Sequence, residues 1–157
     1  PGLCRHYYDN HFWPERIETC EEEAVLQWLE NHLCMIPMEP RCPGCSVVEG
    51  RDITKEKVEA LAAVADRCWN AIMAMDLDAF ATAYKNSFHA QVAMFPAMIQ
   101  GSVPSYIEKY SAMDEVLAWK MPGAGGGGYL ACVVTDASSF CAAHPEAIAL
   151  RIRRSGM

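Results

Sequence analysis

No stretch of this 157-residue chain stays apolar for the roughly 18–20 residues that a membrane-spanning helix needs. Positive charge is scarce: 13 Lys and Arg stand against 20 Asp and Glu, a formal net charge of −7. That balance argues against nucleic acid or anionic lipid as the main partner. The run Arg151-Ile152-Arg153-Arg154 is too short to reverse it and reads as a solvated strand end. No basic, apolar leader opens the chain, so a reducing cytoplasm is expected. Internal repeats and linkers are missing too, which leaves a single domain over residues 1–157, long enough to bury a core. The eight cysteines do not suggest a disulfide scaffold, because the chain is too core-rich to need staples. Cys68, Cys132 and Cys141 sit inside apolar patterns, as small hydrophobes do. The chain opens at Pro1 rather than Met, and a piece of something longer is the expectation.

Hydrophobic residues make up 52% of the sequence, and their spacing predicts a mixture of elements. The aromatic segment from Leu3 to Glu18 reads as two short strands around a turn at Asp9-Asn10. Thr19 and Glu22 have capping-box spacing ahead of a helix carrying Val25, Leu26, Leu29 and Leu33. A short strand is expected over Met35 to Met38, and a loop from Glu39 to Gly50. Asp52 or Thr54 caps a long helix whose stripe is Val58, Leu61, Ala62, Ala65, Cys68, Trp69, Ile72 and Met75. A break at Asp76 to Asp78 leads to a second helix with Leu77, Phe80, Tyr84, Phe88, Val92 and Phe95, ending at Pro96. The two form an antiparallel pair. Ser102 and Pro104 start a shorter helix. Val116 to Trp119 and Tyr129 to Val134 are strands, Asp136 to Ala143 is a short helix, and Ile148, Leu150 and Ile152 alternate as a half-buried strand. The fold class expected is α+β, a mostly antiparallel sheet with helices packed on one face. Met73, Met75, Met94 and Met98 read as core filler, and Trp13, Trp28, Trp69 and Trp119 as packing.

The most specific feature lies between the fourth and fifth predicted strands. Five of the six residues Gly123, Ala124, Gly125, Gly126, Gly127 and Gly128 are glycine. Such a run is entropically costly, and it persists where the backbone takes left-handed angles or comes close to a ligand such as a phosphate. The run satisfies G-x-G-x-x-G formally. A dinucleotide fold needs a helix after that motif, and Tyr-Leu-Ala-Cys-Val-Val is strand chemistry. No Gly-Lys-Ser/Thr closes a Walker loop. A plain hairpin connection is the bland alternative, but the lysine and the tight apolar flanks favour a shaped strand–loop–strand.

Lys120-x-x-Gly-Ala-Gly-Gly-Gly-Gly-Tyr-Leu resembles the third signature motif of the GHMP kinases, in the version found in L-fucokinase and heptose-7-phosphate kinase type enzymes. The aromatic opening segment, the helix ending Gln91-Val92-Ala93-Met94-Phe95-Pro96 and the terminal Ile-Ala-Leu-Arg-Ile-Arg-Arg also look like the C-terminal half of fucokinase-like proteins. The resemblance implies a ferredoxin-like C-terminal domain and ATP-dependent phosphorylation of a sugar hydroxyl, the anomeric one expected, with ATP and Mg²⁺ as cofactors. The loop would then line a cleft shared with an N-terminal kinase domain. That half's Gly-Leu-Gly-Ser-Ser-Ala-like phosphate loop and its substrate motif have no counterpart here. The family's acidic catalytic residue and its Mg²⁺-binding hydroxyl belong to it as well. No catalytic residue is therefore assigned in this chain, which is expected to be inactive alone. A non-catalytic binding or interaction module that kept the fold is the other reading. A third is a domain that pairs with a separately encoded half. Loss of that half would expose an apolar face, so a homodimer through it is expected.

Three side chains are candidates for phosphate or substrate contact. Lys120 could neutralise phosphate charge, and Ser87 and Gln91 share a helix face at i, i+4. Their bland alternatives are an exposed strand-end lysine and solvated helix positions. Cys42-Pro43-Gly44-Cys45 has the spacing of half a zinc site, with His32 and Cys34 upstream, but no second C-x₂-C follows. A structural loop is the expectation there, and His89 has no carboxylate at a spacing that would make it a base.

Overall fold

Alternating polar and apolar residues make Leu3–Tyr7 (β1) and Arg16–Cys20 (β2) an antiparallel ladder in the computed structural model, which describes every residue except Asn10, Cys42, Cys45 and Met157. Helix α1, Glu23–His32, follows, and strand β3 spans Leu33–Pro37. The capping box expected at Thr19 and Glu22 does not form. Thr19 is held in β2 opposite Cys4, and the helix starts at Glu22 with no side-chain cap. Ladder pairing has won over local capping chemistry.

The helix pair is α2, Lys55–Met73, and α3, Leu77–Met94. Of the two caps proposed for α2 it is Thr54 that serves, accepting from the Lys57 amide at 3.3 Å. Asp76 caps α3 through the Ala79 amide at 3.0 Å. Met75 sits between the helices at φ +52° and is exposed, so it is a turn residue and not core filler. Phe80 and Phe88 of α3 are buried as the spacing predicts. The stripe of α2 is only partly sunk. Cys68 and Ile72 pack with Ala71 and Phe80, whereas Val58, Ala62 and Ala65 stay exposed. Helix α3 covers one side of the stripe, and on the other a cavity lies between Ala65 and β1, bridged by the Arg5–Asp66 ion pair.

After a 3₁₀ turn at Pro96–Met98 come α4, Val103–Ser111, with Pro104 in its first turn, then β4, Val116–Lys120, and β5, Tyr129–Val134. Helix α5, Ala137–Ala143, is capped by Asp136, and β6 is only Ile148–Ala149. The result is α+β: an antiparallel sheet in the order β4-β5-β3-β6, with α3 packed along edge strand β4. Two apolar clusters share the sheet. Leu130, Cys132 and Val134 of β5 enter one, with Tyr110, Phe140 and Met121, and Val133 enters the other, with Leu29, Phe80 and Ala118. Each large side chain so buried contributes about 1.5–3 kcal/mol. None of the described helices is long and apolar enough to cross a membrane.

The predicted terminal strand stops early. The Ile152 amide donates to the Glu30 carboxylate at 2.5 Å instead of to a neighbouring strand. Arg154 pairs with Glu30 and with Glu23, and Arg151 reaches Glu30 at 3.4 Å. The basic run is thus tied to α1, not simply solvated. Beside it, the Gly2 amide donates to the Arg153 carbonyl at 2.8 Å. Trp13 is 76% exposed on the hairpin, with its ring edge-on to the still more exposed Phe12, which corrects its reading as a packing residue.

Candidate functional site

The glycine-rich segment connects β4 to β5, the strand–loop–strand that its flanks predict. Its middle is pressed against the chain. A Cβ on Gly125 would lie 2.8 Å from Met98 Cβ, and one on Gly127 would lie 2.7 Å from the Glu39 carbonyl oxygen, at a φ of +142°. Close approach of backbone to backbone therefore dictates glycine here. The Gly126 amide donates to Met98 O at 2.9 Å and the Gly128 amide to Glu39 O at 3.0 Å. Arg41 donates to the Gly125 carbonyl through Nε (3.1 Å) and Nη2 (2.9 Å). Two amides of the loop are thus committed inside the protein, and the exposed part is Gly123 and Ala124.

The three polar candidates lie along one side of α3, but they divide between two cavities. Gln91 donates through Nε2 to the Gly123 carbonyl at 3.3 Å and lines a cavity of about 230 Å³ with Val47, Phe95, Met98, Gly123 and Ala124. Its Oε1 is buried without a hydrogen-bond partner among the described residues, as is Gln100 Nε2 near Gly126. A buried, unpaired amide oxygen is costly, and a ligand hydroxyl would relieve it.

Ser87 and Lys120 meet in the other cavity, where Lys120 Nζ donates to Ser87 Oγ at 2.5 Å. Burial holds the Lys120 amine below its ordinary value and pushes the neighbouring Cys68 thiol up to about 11. The larger cavity between α2 and α3, about 560 Å³, contains none of these residues. Nothing along the chain announces the role of Arg41, whose partner lies 84 positions away.

The zinc half-site at Cys42 and Cys45 lies outside the described residues. Of its proposed companions, His32 donates from Nδ1 to the Val134 carbonyl at 3.1 Å, and Cys34 is buried opposite Cys132. The described cysteines are free thiols. Among the described residues no three His, Cys, Asp or Glu side chains gather so as to hold a metal ion. His89 is exposed, with its ring edge-on to Phe88. No family model matches the chain, and no curated protein matches it.

Proposed function

We propose that this chain is the C-terminal domain of an ATP-dependent sugar kinase of the GHMP type, cytoplasmic, working with an N-terminal half that binds the nucleotide. The observation that carries the reading is the Lys-x-x-Gly-Ala-Gly-Gly-Gly-Gly-Tyr-Leu segment as a packed strand–loop–strand, with Gln91 bonded to its outer edge. In this reading Gly123, Ala124 and Gln91 form one wall of the substrate cleft. A turn of the Gln91 side chain would bring its buried, unpaired Oε1 to a sugar hydroxyl, while Arg41 and the committed amides keep the wall rigid. ATP with Mg²⁺ supplies the phosphoryl group, and both are held by the other half. Phosphoryl transfer is mostly positioning and electrostatics, and this chain contributes positioning.

The non-catalytic module is the second reading, and both readings expect what the described residues have, no carboxylate lining either cavity. One experiment separates the two readings. The 157-residue chain with ATP, Mg²⁺ and reducing sugars is expected to form no sugar phosphate. A protein that joins or mixes it with its upstream or separately encoded partner half is expected to form it. Within that protein Gln91→Ala should lower kcat/KM about tenfold, mainly through KM. Turnover by the chain alone would remove the two-half reading, and no turnover by the combined protein would leave the module. The expected homodimer rests on exposed apolar residues, Phe12 and Trp13 foremost. Sedimentation velocity that stays strictly monomeric across concentration would count against it.

A further inference from the structure

The cavity that holds Lys120 is built from β1, α2, α3 and the end of β4, and measures about 360 Å³, the range of small-molecule sites. One side is apolar: Ala65, Trp69 and Ile72 of the α2 stripe, of which Ala65 is exposed and the other two are half-buried. The other side carries Tyr84, Cys68, Ser87 and Lys120.

Charge is unevenly placed in it. Burial keeps the Cys68 thiol and the Tyr84 phenol neutral, raising both. Arg5 also lines the cavity, but its guanidinium pairs with Asp66 and lies 4.4 Å over the Tyr7 ring. His6 sits at the exposed rim. The Lys120 ammonium is half-buried, and among the described residues its hydrogen-bond partner is the neutral Ser87 hydroxyl and no carboxylate lies within 4.0 Å. An ammonium has three donors, and the described residues take up one of them. Taking a cation out of water without a counter-charge is unfavourable, and an anion that supplies it recovers that cost. The protein is acidic overall, so this uncompensated cation stands against its surroundings.

We propose that this cavity binds a small organic anion, a carboxylate or phosphate monoester with an apolar ring or chain, its head held by Lys120 and Ser87 and its body lying on Trp69 and Ile72. The site is separate from the Gln91 cavity and does not rest on the kinase reading.

The test uses the ¹⁵N-labelled chain without nucleotide or sugar, titrated with benzoate, phenyl phosphate and the neutral benzamide. At least one anion is expected to shift the amides of Ser87 and Lys120 and the Trp69 indole saturably, with benzamide about tenfold weaker or more. Which anion binds more tightly identifies the head group. Lys120→Met should weaken the anion about tenfold, and Lys120→Arg should keep it within about threefold. If Lys120→Met loses its dispersed spectrum, Ser87→Ala replaces it, with a weakening of about threefold expected. Absence of saturable shifts with both anions, benzamide binding equal to benzoate, or unchanged affinity in the folded variant would each overturn the proposal.

Discussion

A methyl group added to Gly127 would meet the Glu39 carbonyl oxygen and the Arg41 amide nitrogen at 2.7 and 2.8 Å, both of them backbone atoms that cannot swing away. Gly127→Ala should therefore cost about 3 kcal/mol or more, through strain and overpacking together. Gly123→Ala meets nothing within 4 Å and suffers only from its φ of +72°, about 1–2 kcal/mol. Urea denaturation of the two variants would check the contrast; equal losses would mean that the loop is less tightly seated than its contacts imply. A second residue-scale prediction concerns Glu146. Its carboxyl is held down to about 2, first by the hydrogen bond from the fully buried Tyr110 hydroxyl at 2.7 Å. The folded value lies below the ordinary 4.5, so the folded state takes up fewer protons than the unfolded one. This stabilisation is present above pH 4.5 and disappears as the pH falls from 4.5 toward 2. Tyr110→Phe should cost about 1–2 kcal/mol at neutral pH and flatten the acid limb of the stability curve. An acid limb unchanged by the substitution would show that other carboxylates set it.

At the scale of elements, the tie between α1 and the C-terminal segment decides most. The Glu30 side chain is only 5% exposed and gathers Arg154, Arg151 and the Ile152 amide. Glu30→Ala should cost about 2–3 kcal/mol, because it removes the acceptor of the Ile152 amide and one of the two carboxylates that hold Arg154. Hydrogen exchange at Ile152 should speed up before that of β3, and uniform acceleration would argue for a global loss instead. The same tie shows why some elements were legible in sequence and others were not. Thr54, Asp76 and Asp136 cap helices by reaching three residues ahead, so the signal and the structure occupy one window. Glu30 finds Ile152 from 122 positions away, and nothing near Ile152 announces that its amide will leave the sheet. Thr19 shows the converse, a correct local signal overridden by ladder pairing with Cys4. The candidate site divides in the same manner. Its glycines and the Ser87–Gln91 face could be read along the chain, but the Arg41 clamp and the assignment of Lys120 to another cavity depend on long-range packing.

Across the whole molecule, the two long helices and the antiparallel sheet form a frame, with the glycine segment and the lysine cavity following one another along the Ser87–Gln91 face of α3. The hydrogen bond from Gly2 to Arg153 brings the first and last described parts of the chain side by side. The path is therefore close to a ring. A short Gly/Ser linker could join its ends, and a new break could be made at Gly101, where the surface turn has open space around it. Such a permuted chain should unfold cooperatively with a midpoint close to that of the parent. If it does, the order in which ribosomal synthesis presents these elements is dispensable, and any domain fused at either end would leave the body from the same corner.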